Sequence, residues 1–340
     1  MSIAYQTYVI TLLVYFGVNA IAVWALNLQY AYAGILNFAF IMFQAAGAYS
    51  AAVLTLGPST GATFQSYFFG ASLPFPLPWL GAAAVGAVLA ALIGAFAMRP
   101  ARRDFQAMVM LVVSIIAATL VVSEGSWFNG QRGLAFIPHP FFHAAAGNFA
   151  SPGIGYQWFY VGLTFATCVV VYVLVHLITS SPWGRRLRAM RDNPEAIESL
   201  GVNIRRESLK IFMLGGAIAS LSGAILVQYI GSWSPGSWAT PETFLYLAAV
   251  IVGGAGNNFG VTLGAALVLG VFMEVVDYLP NFGGTGVAEA IQFMAIGVLI
   301  LVFLYWRPQG LIPERRRRFG LRATDAPPAQ VVPPAHVVES

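Results

Sequence analysis

Apolar runs about 20 residues long follow one another along nearly the whole of this 340-residue chain, and each is long enough for an α-helix to cross about 30 Å of hydrocarbon. No ordinary soluble domain is written this way. Hydrophobic residues make up 58% and charged residues 9%, against roughly 25% charged in an average protein. An all-α, polytopic helical membrane protein is therefore expected, with about nine transmembrane spans, or eight to ten if one is re-entrant or split.

In order, the spans fall at about Tyr8–Leu28, Asn37–Leu56, Trp79–Met98, Phe105–Ser123 and Tyr156–Ile178. A sixth follows Lys210, a seventh runs from Thr243 into GGAGNNFG (253–260), an eighth continues from Val261 to about Leu279, and the ninth is Gly286–Trp306. Amides are costly in lipid unless paired or facing a wet cavity. That makes Asn37 and Gln44 in the second span, Asn129 in the loop after the fourth and Gln228 near the end of the sixth candidates for lining a translocation path. Gly215, Ala219 and Gly223 recur every four positions, a spacing that lets helix backbones approach closely. Gly256, Gly260 and Gly264 repeat it, preceded by Gly253 and Gly254. Here a packing seam is favoured over a broken helix exposing its backbone along a conduit. Trp233 and Trp238, in the 231–242 loop, suit the headgroup level.

One part of the chain body breaks the apolar pattern. Residues 181–210, SPWGRRLRAMRDNPEAIESLGVNIRRESLK, hold seven of the seventeen Lys and Arg residues. The local grammar is that of folded helices. Ser181 can cap a helix that starts at Pro182, whose φ is pre-set, and runs towards Arg191. Asn193 can cap a second, with Pro194 at its first position and Glu195 near the positive end of the dipole. Gly201 supplies the left-handed stop. The short helix PEAIESL shows Ile197 and Leu200 one turn apart, beside Ala196, and such an exposed apolar face needs a partner.

Charge also sets orientation. With the RPARRD turn (99–104), the 181–210 stretch and the basic tail on one side, that side holds sixteen of the seventeen basic residues, and Arg132 alone lies opposite. The positive-inside bias makes that side cytoplasmic, with the carboxyl end inside and the amino end outside. Residues 1–313 are then one transmembrane domain. Residues 314–340, basic and then Pro-rich, are a cytoplasmic tail expected to be largely disordered. With no basic region ahead of the first span, no cleaved signal peptide is expected.

Little chemistry is available to such a chain. No phosphate-binding loop accompanies its one lysine, Lys210, so ATP is not expected to be held here. His139 and His143 stand without Cys or carboxylate at ligand spacing, and no metal is expected. Cys168, the single cysteine, lies in an apolar run as a small buried side chain. Glu274 and Asp277 share a helix face but read as a span end near the outer interface rather than a proton site. Basic residues between apolar spans are topology signals, so no nucleic-acid partner is expected. From the residues alone a stand-alone channel or secondary carrier remains possible, and more distantly a lipid-modifying enzyme.

RAMRDNPEAIESLGVN, the small-residue span after it, SPGSW, IVGGAGNNFG with LGAAL, and the closing RPQGLIPE together resemble the M-type permease subunit of branched-chain amino-acid ABC importers. The likeness runs from about Tyr30 to Pro313. It implies a multi-pass protein of the cell (inner) membrane, translocating branched-chain amino acids or a related small solute such as urea, an amide or a carboxylate by alternating access. It implies a second, H-type permease, two cytoplasmic ATP-binding subunits that carry the ATP, and an external solute-binding protein received by the 124–155 and 231–242 loops. Glu195, Ala196 and Gly201 match the importers' EAA-type coupling pattern. In that picture Ile197 and Leu200 are apolar knobs for an ATPase groove, and Arg188, Arg191, Glu195 and Glu198 form rim pairs around them.

Overall fold

A computed structural model describes residues 3–58, 65–98, 103–141, 153–272 and 285–314, with side chains left undescribed at 103–104 and 285–289. Among these the chain is helical, apart from one isolated bridge between Leu134 and Trp233. The expected RPARRD turn, His143, Glu274, Asp277 and the tail beyond Glu314 lie largely or wholly outside the described residues.

The first helix, α1 (Ile3–Asn27), runs on as a π-helical turn over Leu28–Tyr32. Then come α2 (Phe40–Thr55), α3 (Leu77–Ala97), α4 (Arg103–Ser123) and α5 (Ile154–Ser180). The charged stretch forms α6 (Pro182–Asp192) and α7 (Pro194–Ser199). After it come α8 (Ile204–Ile230), α9 (Glu242–Gly253), α10 (Asn258–Ala265, carried on as a π turn to Phe272) and α11 (Thr285–Trp306).

Five helices among the described residues are long and apolar enough to cross a membrane: Ile3–Tyr32, Leu77–Ala97, Phe105–Ser123, Ile154–Ser180 and Ile204–Ile230. The expected second and seventh spans are shorter than the sequence implies. α2 has 16 residues and α9 has 12, about 24 and 18 Å of helix, less than the hydrocarbon thickness. α2 begins inside the protein, and α9 begins beside it. Ser220 Oγ, well along α8, donates to Phe43 O at 2.7 Å, and the Ile41 amide donates to Thr243 Oγ1 at 3.2 Å. The starts of α2 and α9 therefore meet near the middle of α8. Hydropathy misses this because the irregular backbone before α2 stays apolar. Such backbone is tolerated at depth only where protein satisfies it.

α8 is the post on which the bundle packs, and small residues bring the helices close. A Cβ on Gly223 would stand 1.9 Å from Gln44 O, one on Gly47 2.0 Å from Ser220 O, and one on Gly86 2.5 Å from Gly216 O. The expected Gly215 and Ala219 lie on this seam, Gly215 against the Gln29 side chain and Ala219 fully buried. Apolar burial adds no drive between helices in lipid, so this close packing and the buried amides hold the bundle.

Candidate functional site

The charged stretch folds by its own caps. Ser181 Oγ accepts from the Gly184 amide at 3.3 Å, Asn193 Oδ1 from Ala196 at 3.1 Å and Asn203 Oδ1 from Arg206 at 3.0 Å. Each satisfies an amide that a helix start leaves free. Gly201 ends the turn after α7 at φ +82°. Glu195, Ala196 and Glu198 on α7 and Leu200 just past its end are exposed, Leu200 at 75%. Ile197 turns the other way and packs against the chain's own core. Of the two expected knobs, only Leu200 stands free.

Arg188 and Arg191 turn towards the protein's own groups. The Arg191 guanidinium donates to the Ala31 carbonyl, to Asp192 Oδ1 at 2.9 Å and to Glu314 Oε2 at 3.2 Å. Arg188 donates to Thr179 O at 3.0 Å, lies 4.0 Å from Glu314 Oε1, and rests over the Tyr32 ring at 5.5 Å. Burial alone would lower the pKa of Arg191, but the carboxylates of Asp192 and Glu314 outweigh it and push it up.

Tyr32 leads on to the glycine segment. Its hydroxyl donates to Gly256 O at 2.8 Å, and the Gly256 amide donates to Asn27 Oδ1 at 3.0 Å. The helix breaks here, with φ +107° at Gly254 and +89° at Gly256, a region glycine enters without strain. The two arms also pack closely: a Cβ on Gly264 would meet Ala249 O at 2.0 Å, and one on Gly253 would meet Gly260 O at 2.4 Å. Break and seam coexist. The RPQGLIPE segment closes over them, the Leu311 and Ile312 amides donating to Val252 O at 2.8 Å and Gly253 O at 3.2 Å. Glu314, assigned from sequence to the tail, thus belongs to the folded body. Nothing in its local sequence signals this, because its partners lie over a hundred residues away.

At the other end of the bundle the loops before and after α5 and α8 are drawn together. Leu134 and Trp233 exchange two backbone hydrogen bonds of 2.7 Å, and the Ile137 amide donates to Gly231 O at 2.9 Å. Trp233 and Trp238 are 3% and 8% exposed, so they face protein, not headgroups. They wall a cavity of about 440 Å³ between α2, α3 and α4, which reaches from Phe68, Phe69 and Phe128 down to Met42, near the junction of α2 and α9. Its lining is almost wholly apolar. Ser50 Oγ donates to Gly47 O at 3.1 Å, Ser114 pairs with Thr240 at 3.3 Å, and the Tyr49 hydroxyl donates to Trp127 O.

Three of the expected path residues are hydrogen-bonded within the protein. Asn37 Nδ2 donates to Gln29 Oε1 at 2.8 Å; Gln228 accepts from Trp79 Nε1 at 2.6 Å and donates to Thr55 Oγ1 at 2.7 Å. Asn129, in a left-handed turn, donates to Gly133 O at 2.6 Å. Gln44 is fully buried, its side chain beside the Tyr246 hydroxyl, and its neighbours Met42, Ala45 and Ala46 line the cavity. Sequence reading missed Glu314, Tyr32 and the cavity's aromatic wall.

Comparison with known proteins follows the same outline. A family model described as "Branched-chain amino acid transport system / permease component" matches residues 8–304. The probable branched-chain amino acid transport permease protein LivM of Methanocaldococcus jannaschii is 25% identical over 334 residues, 89% of this chain and 93% of that protein. The high-affinity branched-chain amino acid transport system permease protein LivM of Escherichia coli is 28% identical over 313 residues, covering 87% and 68%. The fructose import permease protein FrcC of Rhizobium meliloti is 32% identical over 142 residues, 39% of this chain and 37% of that protein. No solved structure shows a significant match.

Proposed function

From the premise that this chain belongs to the branched-chain amino acid transport permease family, we propose that it is one membrane-spanning subunit of an ABC importer for a small aliphatic solute, a branched-chain amino acid first among them. The observation that carries the coupling part is α7. It is a short, doubly capped helix at one end of the bundle that exposes two glutamates, with Leu200 exposed just past its end, while its inner side is fixed to the protein. An apolar knob ringed by charge fits a groove of a soluble ATPase subunit, the charges setting register more than affinity.

The cavity supports the solute class. A sugar exposes hydroxyls all round and asks for hydrogen bonds on every side, whereas the Ser50, Ser114 and Tyr49 hydroxyls here are engaged within the protein. A branched aliphatic side chain suits such a wall. In this reading an H-type permease completes the path, two ATPases dock on the α7 end, and a solute-binding protein docks on the loops at the cavity end. The α7 end faces the cytoplasm across an inner membrane. That orientation is supported by the uncharged turn after α1, which packs against Arg191 on the same end as the charged stretch. Gln44, moved out of its seam as the helices reorient, is the one amide kept as a candidate path residue.

The test is purification in mild detergent from the native membrane, followed by ATPase assay of what accompanies the chain. A second permease and ATP-binding subunits should copurify, and Leu200→Asp should release the ATPases while leaving the permease pair. A chain that emerges alone and carries flux in liposomes without ATP would replace this reading with a carrier.

A further inference from the structure

Three motifs that stand far apart in the sequence, the arginines of α6, the GGAGNNFG break and the RPQGLIPE segment, come together at one point, and Glu314 is that point. Its carboxylate faces both Arg188 (4.0 Å) and Arg191 (3.2 Å). Its stem lies against the break so closely that a Cβ on Gly256 would come 2.9 Å from its Cδ. One residue earlier, Pro313 O accepts from Asn257 Nδ2 at 3.3 Å. The Glu314 and Arg191 side chains are only 17% and 21% exposed, so they form a shielded pair whose loss strands charge in a poorly hydrated place.

The break is also one end of a lever. α9 runs from Gly253, hydrogen-bonded to Ile312, to Thr243, hydrogen-bonded to Ile41 beside the cavity residue Met42. α9 is one unbroken helix between these two points, with the positive-φ glycines 254 and 256 at its end.

We propose that Glu314 is the positioning residue that joins the coupling stretch to this lever. Displacement of α6 and α7 by an ATPase subunit is passed through the Arg188–Arg191–Glu314 clasp to the break, and along α9 to the foot of the cavity. The inference rests on the ATPase-coupling role of α7. The clasp adds to that role a route from coupling helix to solute path and a residue on which the route depends.

The experiment uses the whole importer in lipid nanodiscs, with hydrogen exchange followed by mass spectrometry in nucleotide-free and ATP-trapped states. In the unaltered complex, trapping should change exchange in 182–200 and in 252–258 together. With Glu314→Gln, the change in 182–200 should persist and that in 252–258 should vanish. ATPase activity should stay within about twofold, and uptake per ATP hydrolysed should fall about tenfold. Glu314→Asp should restore part of the uptake, which a merely structural loss would not do. A change in 252–258 that survives Glu314→Gln, with normal uptake per ATP, overturns the clasp. So does an unaltered complex in which 182–200 responds and 252–258 does not, a result independent of whether the variant folds. No response in 182–200 of the unaltered complex would instead overturn the coupling role of α7.

Discussion

Ile197 lies on α7 and Leu200 just past its end, three residues on, and only Leu200 points away from the protein. Replacing Leu200 with Asp should weaken ATPase association about tenfold or more, the typical weight of a central apolar anchor, with the permease's own melting unchanged. Ile197→Asp should lower that melting temperature as well. Titrating labelled ATPase subunit against nanodisc-held permease, alongside a thermal melt, separates the two. Gly223→Leu tests the seam. With Gln44 O 1.9 Å from a notional Cβ, α2 and α8 must part, and overpacking of this kind costs about 1–3 kcal/mol. A lower melting temperature with a dispersed gel-filtration profile is expected; a melt like the unaltered protein's would show the seam to be loose.

Among the elements, the caps of α6 and α7 were legible in the sequence because capping is local. Ser181, Pro182, Asn193, Pro194 and Gly201 act on amides and dihedrals within three residues of themselves. The inward turn of Arg188 and Arg191 was not, because their acceptors, Ala31, Thr179 and Glu314, come from other elements. The start of the second span was misplaced for a related reason: hydropathy adds up apolar side chains whether or not the backbone is helical, so 37–39 merged into that span. At the break, Gly256→Ala puts a Cβ at φ +89° beside Glu314. Strain of roughly 1–2 kcal/mol should loosen the clasp, raising exchange at 252–258 even without nucleotide. Unaltered exchange would show that the break tolerates side chains.

For the whole molecule, the charged end proposed for coupling and the cavity proposed for the solute lie at opposite ends of the bundle. α4 is exposed on most of its length, with Phe105, Met108, Val112, Ile116 and Leu120 all more than half exposed. Its inner face forms only one wall of the cavity. Ala118→Phe should fill part of that cavity and cut uptake about tenfold while the subunits still assemble and hydrolyse ATP, measured with radiolabelled leucine in proteoliposomes. Undiminished uptake would place the path elsewhere. The near absence of free polar groups around the cavity has a further consequence, for fidelity. An apolar wall tells one aliphatic solute from another only by methylene groups, each worth about 1–3 kcal/mol, and cannot reject an isostere that keeps the same outline. A transporter built on this chain should therefore admit the isomers leucine and isoleucine with similar ease once they reach it, leaving the choice between them to whatever delivers them.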